Sequence, residues 1–434
     1  MSKPHILMLT PYLPYPPNSG GRSRTFNLVK HLRADFTISL ICFGRPEEQA
    51  FDLEPLRDLC NLTVIDRAPS PSKARAALLS LTSLHPVTMR LYHTPEMAQA
   101  VLHTLAEHSI DLIHVESFYM MPNLPSVRAV PVLLSEPAIE YVAWRRHARV
   151  AQPWYTRPAI TLEAIKMRWW EPRTWNQATV VGVMSEIDAT QIHRATPGVQ
   201  TVMAPNGVDV DYFQPDAGVK RDQRTAVYMG DYKYFPNTDA VLYFASEILP
   251  LVRKQHPEFQ LVLLGKDAPP EILALHDDPN TPVTYAGLVD DTRPYLQGSA
   301  LFVCPLRSGS GTRFKLMEAL ACGCPVVSTT VGAEGLNATD GTQMLLRDSP
   351  QAFASAIIEL LNDPARGAAM GREGRAWVEN RHGWAYSAAQ LRAVYDLLIG
   401  HADPTLNLND REQQRFVQDL HDALQKLENS DDKQ

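Results

Sequence analysis

The sequence predicts an α/β protein of two doubly wound domains, each a parallel sheet with helices on both faces. Three observations carry this. The 434 residues exceed what one hydrophobic core organises. Short apolar runs alternate with helical stretches through both halves, as in parallel βα units. Each half also puts glycines between a strand and a helix, at Gly20-Gly21 and at Gly309-Ser310-Gly311. Composition fits a globular enzyme, 45% apolar and 21% charged. The net charge of −7 argues against general nucleic-acid binding.

Five cysteines, an odd number without zinc-like spacing, read as reduced thiols of a cytoplasmic protein. Cys322-x-Cys324 is too tight for the usual zinc pair and reads as helix-end packing. No apolar run approaches the roughly 18 residues of a spanning helix. Behind Lys3 comes a short strand, not a signal sequence.

In the first half, His5–Thr10 is a strand bounded by Pro4 and Pro11. A proline-rich loop then ends at Gly20-Gly21 before a helix, a place where backbone can approach an anion closely. Strands follow at Thr37–Cys42, Leu62–Ile65, Asp111–Val115, Val130–Leu134 and Thr179–Met184. Two strand ends carry polar residues, giving Glu116, Glu136 and Glu140 as candidate acid or base groups or, equally, as capping carboxylates. Residues 141–173 are dense in Arg, Trp and Tyr. That mixture suits a membrane interface, a buried helix pair or a glycan-stacking surface. The domain ends near residue 210, and the polar, aperiodic residues 211–224 read as a linker.

The second half, 225–380, repeats the pattern with strands at Ala226–Met229, Gln260–Leu264, Val283–Ala286, Leu301–Cys304, Val326–Ser328 and Gln343–Leu346. After Leu301–Cys304 the glycine-rich turn leads into a helix with Phe314, Met317, Leu320 and Ala321 on one face, stopped by Gly323. Arg313 and Lys315 are expected in its first turn. Cations there oppose the helix dipole, a poor choice for a structural helix and a good one for holding phosphate. The bland reading is a surface turn with stray basic residues. A further helix over 381–402 and an amphipathic tail helix over 403–434, with Phe416, Leu420, Leu424 and Leu427 on one face, complete the chain.

These motifs resemble the large retaining glycosyltransferase family of GT-B fold that includes sucrose synthase and the phosphatidylinositol mannosyltransferases. The segment Glu318-Ala319-Leu320-Ala321-Cys322-Gly323-Cys324-Pro325-Val326-Val327 is similar to the second half of the family's donor signature, and Ser-Gly-Thr-Arg-x-Lys is similar to a bacterial branch. The first glutamate of that signature is replaced by Ser310. The family's phosphate-clamping Arg and Lys fall, without gaps, on Asp231 and Pro236, and its sugar-side histidine on Pro137.

The resemblance implies two Rossmann-like domains facing a cleft, with the helix over 381–402 crossing back onto the first. It implies a donor site of Gly20, Gly21, Gly230, Gly287, Leu288, Val289, Gly311, Thr312, Arg313, Phe314, Lys315 and Glu318, with Glu318 on the ribose hydroxyls and residues 287–289 at the base. Arg313 and Lys315 then replace the missing clamp, with Lys233 in reserve, and join Glu116 as the candidate catalytic groups.

The expected activity is transfer of a hexose from a nucleotide-diphosphate sugar, with retention. No metal is expected, since no Asp-x-Asp ends a strand, and no cofactor beyond the nucleotide sugar as co-substrate. The acceptor is a glycan, lipid-linked saccharide or peptide bound by the first domain. The place is cytoplasmic, with peripheral contact at the inner membrane face through 141–173. Two rival readings are a GT-B nucleotide-sugar epimerase and a degenerate, non-catalytic subunit supporting a partner.

Overall fold

The structure, a computed structural model, describes residues 3–67, 72–150, 154–309 and 311–400. Chain contacts divide these into two units. One holds the described residues up to Asn206 together with Trp384–Gly400; the other is Gly207–Gly383.

In the first unit seven strands form one parallel sheet: β1 (His5–Thr10), β2 (Thr37–Gly44), β3 (Asn61–Asp66), β4 (Leu112–Glu116), β5 (Val132–Glu136), β6 (Val180–Val183) and β7 (Thr201–Met203). Their order is β3-β2-β1-β4-β5-β6-β7. It reverses at β1, where Met8 has Leu40 on one side and His114 on the other. Such near-continuous apolar strands are what a sheet covered on both faces requires. The helices of this unit include α1 (Gly20–Leu32), α2 (Lys73–Leu81), α3 (Glu140–Val150), α4 (Arg157–Trp175) and α5 (Glu186–Ala195).

The second unit has six parallel strands: β8 (Asp222–Asp231), β9 (Gln260–Lys266), β10 (Val283–Gly287), β11 (Ser299–Cys304), β12 (Val326–Ser328) and β13 (Leu345–Leu346). They are ordered β10-β9-β8-β11-β12-β13. Here the reversal lies between β8 and β11, whose Ala226 and Val227 face Leu301 and Phe302. Two helices matter below, α6 (Phe235–Tyr243) and α7 (Phe314–Ala321). Met317, Leu320 and Ala321 of α7 are fully buried, as their spacing predicts.

Gly323 ends α7 in a left-handed turn with φ 63°; its N–H donates to Leu320 O and that of Cys324 to Ala319 O. The last described helix, α8 (Trp384–Gly400), packs in the first unit, where the Tyr395 ring meets those of Phe36 and His114 edge-on.

Three local expectations need correction or a boundary. The short strand β7 was not expected, because three residues give no period to read. Asp222, Gln223 and Arg224, read as linker, already belong to β8; Gln223 and Arg224 face solvent, so their polarity hides the strand. The tail helix over 403–434 lies outside the described residues, as does Ser310.

Candidate functional site

In a doubly wound sheet the crevice beyond the carboxyl ends of strands at the order reversal is where ligands bind. In the second unit those ends are Gly230-Asp231 and the loop after Cys304. Gly309 (φ 115°) and Gly311 (φ 77°) hold that loop in left-handed backbone that only glycine adopts without strain. The loop delays the helix. Arg313 is therefore the residue before α7, extended at φ −91° and ψ 99°, and not in its first turn as its sequence position implies. Lys315 is the second helical residue.

No side chain caps α7. The hydroxyls of Ser308 and Thr312 are hidden from solvent with no hydrogen-bond partner. Buried hydroxyls ordinarily pair, so the loop carries bonding capacity that the described protein leaves unused.

Lys315 is held from below. Its Nζ donates to Asn237 Oδ1 (2.8 Å) and Tyr228 Oη (3.1 Å), 4.3 Å from the Tyr228 ring centre. Asn237 Oδ1 also accepts from Tyr228 Oη (2.7 Å), and Asn237 Nδ2 donates to Asp231 O (2.7 Å). One amide thus ties the loop after β8 to the lysine. Gly230 has no alternative, since a Cβ there would stand 2.7 Å from Asn237 Cγ. Two of the three ammonium donors are used, which leaves one for a ligand.

Burial pulls Lys315 down to about 8, the nearby Arg313 adding to the effect. Glu318, one turn on, is pushed up to about 7 by burial, against the attraction of Lys315. Arg313 is itself buried and folds back so that a Cβ on Gly309 would lie 2.7 Å from its Nη2. Loop, Arg313, Lys315 and Glu318 are therefore brought together.

Sequence reasoning missed Tyr228 and Asn237. The ungapped comparison stopped at Pro236, one residue short of the side chain that matters. At one position of the missing clamp Asp231 faces Lys266 (3.6 Å), and the reserve cation Lys233 faces Asp267 (3.1 Å). Lys233 is an exposed surface partner and not a reserve cation aimed at the loop. Gly287 ends β10 with φ 76° and nothing within 4 Å of a Cβ. Leu288 is exposed there, while Val289 packs on the core, so open main chain stands at the same edge of the sheet.

The remaining expected residues lie in the first unit. Gly20 and Gly21 open α1, and a Cβ on Gly21 would come within 2.5 Å of Tyr12 Oη. Glu116 departs from its expected catalytic role: it is fully buried at the end of β4, paired with Arg24 Nε (3.4 Å) and His114 Nε2 (3.4 Å). Burial pushes its carboxyl up, but Arg24 and His114 outweigh this and leave it below the usual range. Buried and paired with Arg24 of α1, the carboxylate anchors that helix to the sheet.

Around it, His114 contacts Tyr395 Oη (2.5 Å) and Ser135 Oγ (2.9 Å), while Arg24 Nη1 donates to Pro205 O and Asn206 Oδ1, both at 3.1 Å. The other two acidic candidates are structural as well. Glu136 Oε1 accepts from Trp175 Nε1 (2.9 Å), and burial holds its carboxyl well above the usual range. Glu140 opens α3 and accepts from Trp144 Nε1 (3.1 Å).

Among the described residues no three His, Cys, Asp or Glu side chains are grouped to hold a metal, and no helix is long and apolar enough to cross a membrane.

Residues 223–363 match the family described as Glycosyl transferases group 1. The GDP-mannose-dependent monoacylated alpha-(1-6)-phosphatidylinositol monomannoside mannosyltransferase of Corynebacterium glutamicum is 29% identical over 212 residues, 44% of this chain and 54% of that protein. The chain thus spans about half the length of this relative. The GDP-mannose-dependent alpha-(1-6)-phosphatidylinositol monomannoside mannosyltransferase of Mycolicibacterium smegmatis is 26% identical over 340 residues, 74% of this chain and 84% of that one.

Among solved structures, sucrose-phosphate synthase from Thermosynechococcus elongatus aligns with a TM-score of 0.70 at 19% identity, over 92% of this chain and 100% of that one. Anabaena Alr3699/HepE in complex with UDP aligns at 0.60 and 14%, over 91% and 99%. These likenesses establish the GT-B fold.

Proposed function

Because residues 223–363 match the group 1 glycosyltransferase family, we propose that the chain transfers a hexose from a nucleotide-diphosphate sugar, with retention and without a metal. One observation carries the reading: a half-buried lysine with a donor to spare stands at an uncapped helix start, beside a glycine loop with two idle hydroxyls, at the strand-order reversal. Breaking the glycosidic bond leaves a nucleoside diphosphate with growing negative charge. Lys315, Arg313 and the N–H groups at the start of α7 supply fixed positive charge for it. Glu318 would accept from the ribose hydroxyls.

A thermal-shift panel of UDP, GDP, TDP and their sugars tests this, since a ligand at a hundred times its Kd adds about 2.7 kcal/mol. No shift with any of them would overturn the reading.

Two expectations follow from the charges. Chelation should leave transfer within about twofold, because side-chain cations and not a divalent ion meet the leaving group. Loss of activity in EDTA with rescue by Mg²⁺ or Mn²⁺ would refute that.

Nucleotide affinity should also be highest in a narrow window. Lys315 loses its proton above about 8, and a diphosphate binds the cation, so affinity falls as pH rises past that value. Glu318 gains a proton below about 7 and stops acting as a pure acceptor, so affinity falls on the acid side too. Calorimetric titration across this range reads both limbs. Lys315→Met should flatten the alkaline limb and Glu318→Gln the acid one.

The acceptor, a lipid-linked saccharide in this proposal, falls to the first unit, at a cytoplasmic membrane face. Trp154, Tyr155, Ile165 and Trp169, all at least half exposed, support peripheral contact through 141–173. Leu81 and Leu84, from α2 and the turn after it, are still more exposed; Leu84 O accepts from Trp170 Nε1 (3.0 Å), which places this apolar strip beside α4.

A further inference from the structure

Helix α3 runs between two grooves of the first unit, of about 420 and 530 Å³. The first is completed by α4, the second by α4 and α5; Tyr141, Arg145 and Arg168 line both. Arg149 joins them in the first groove, Arg146 and Arg194 in the second. Among the described residues five arginines line the pair and no carboxylate does. The chain as a whole carries −7, so this concentration runs against its average.

Arg145, Arg149, Arg168 and Arg194 have no ion-pair partner among the described residues. Arg145 and Arg149 stand four apart on one helix, where like charges repel. A bound anion would relieve that repulsion.

A solvated cationic face would need no groove and no fixed floor. Here Tyr141 forms the floor, nearly buried, with the Arg168 guanidinium 5.2 Å from its ring centre. The start of α3 is clamped too: the Glu171 carboxylate accepts from the backbone N–H of Glu140 (2.7 Å) and of Tyr141 (2.8 Å). Guanidinium forks on a fixed support are suited to phosphoryl oxygens, which they bind in pairs.

We propose that the grooves around α3 form one binding site for a phosphate-bearing anion, with Arg145 and Arg168 bridging its phosphoryl groups. Its use as the place where an acceptor's phosphate is held rests on the assignment of acceptor binding to this unit; the binding itself does not. The phosphate could belong to a lipid headgroup or to a free compound.

The test is calorimetric titration of the full chain with inorganic pyrophosphate. Lys315→Ala weakens the loop at α7 as a competing site, so heat that survives it and is lost with Arg145 and Arg168 reports the grooves. That variant should still bind pyrophosphate. Adding Arg145→Ala and Arg168→Ala should weaken the event at least tenfold, and the Arg145→Lys, Arg168→Lys pair should fall between, keeping charge without the fork. Nucleoside diphosphate binding by the Arg145→Ala, Arg168→Ala protein should be unchanged, which scores the donor site separately.

Vesicles of phosphatidylcholine with and without phosphatidylglycerol distinguish the sources. Sedimentation that needs phosphatidylglycerol and is reversed by pyrophosphate identifies a headgroup; none identifies a free phosphate compound. Absence of any pyrophosphate event in Lys315→Ala, or equal affinity in the arginine variants, overturns the proposal. Should Arg145→Ala and Arg168→Ala fail to fold, Arg149→Ala with Arg194→Ala, both exposed on helices, gives the same readout.

Discussion

Lys315→Ala is expected to weaken nucleotide binding by about 1.5–3 kcal/mol, roughly ten- to a hundredfold, the scale of a charge-assisted hydrogen bond to a sheltered group. Arg313→Ala should cost a similar amount. The effect can be separated from damage to the fold. Lys315 sits below its ordinary value because burial disfavours the ammonium, so the folded state bears a penalty for that charge wherever pH lies below about 8. Removing it should leave thermal stability at neutral pH unchanged or raised. A variant that binds nucleotide like the parent would sink the assignment; one that binds weakly and melts no lower supports it. Stability given up for function is common at sites where charge is held out of water.

Arg24→Ala should act in the opposite way, on the fold and not on the nucleotide. It leaves Glu116 buried without its guanidinium and removes the donor to Pro205 O and Asn206 Oδ1. Breaking one side of a buried ion pair typically costs about 3–5 kcal/mol. Urea denaturation of the first unit should register most of this. Exchanging both partners for apolar residues, Arg24→Met with Glu116→Leu, should recover a large part, because no lone buried charge remains. The single variant also has a pH signature. Glu116 is held below its ordinary value in the native protein, so its contribution is present at neutral pH and lost as pH falls through that depressed value. With Arg24 gone, burial drives the Glu116 carboxyl upward, so this acid-side loss should shrink or reverse, because protonation relieves the lone buried charge. A loss below about 1 kcal/mol would mean that the pair is too well hydrated to matter.

Both sheets were legible as sequence because buried parallel strands are apolar without interruption: His5–Thr10 and Val326–Ser328 begin and end where their apolar runs do. The loop and helix that form the candidate site were legible for a different reason. Gly309, Gly311 and Gly323 are needed for backbone geometry, and all three stand at positive φ.

What could not be read was side-chain company. Glu116 looks the same in sequence whether it faces a substrate or an arginine 92 residues earlier. Asn237 shows no local signal, since its partners Tyr228 and Lys315 come from a neighbouring strand and from a helix 78 residues on. The first turn of α7 was misplaced by one residue for the same kind of reason. The left-handed Gly311 sets where helical backbone can begin, and its φ is a property of the fold around it.

Helix α8 belongs to the first unit although the whole second unit intervenes in the chain. A ribosome therefore releases every strand of the first sheet long before the residue that closes it exists. Until Tyr395 emerges, His114 lacks the hydroxyl 2.5 Å from its Nδ1, and the ring of Phe36 lacks its cover. The nascent first unit has to wait with a polar hole and an apolar patch exposed, while Gly207–Gly383 is contiguous and can fold as soon as it clears the tunnel. Order of completion is then the reverse of order of synthesis. A gene fragment ending at Asn206 would yield a chain in need of its own missing helix, and supplying Trp384–Gly400 as a separate peptide should rescue it.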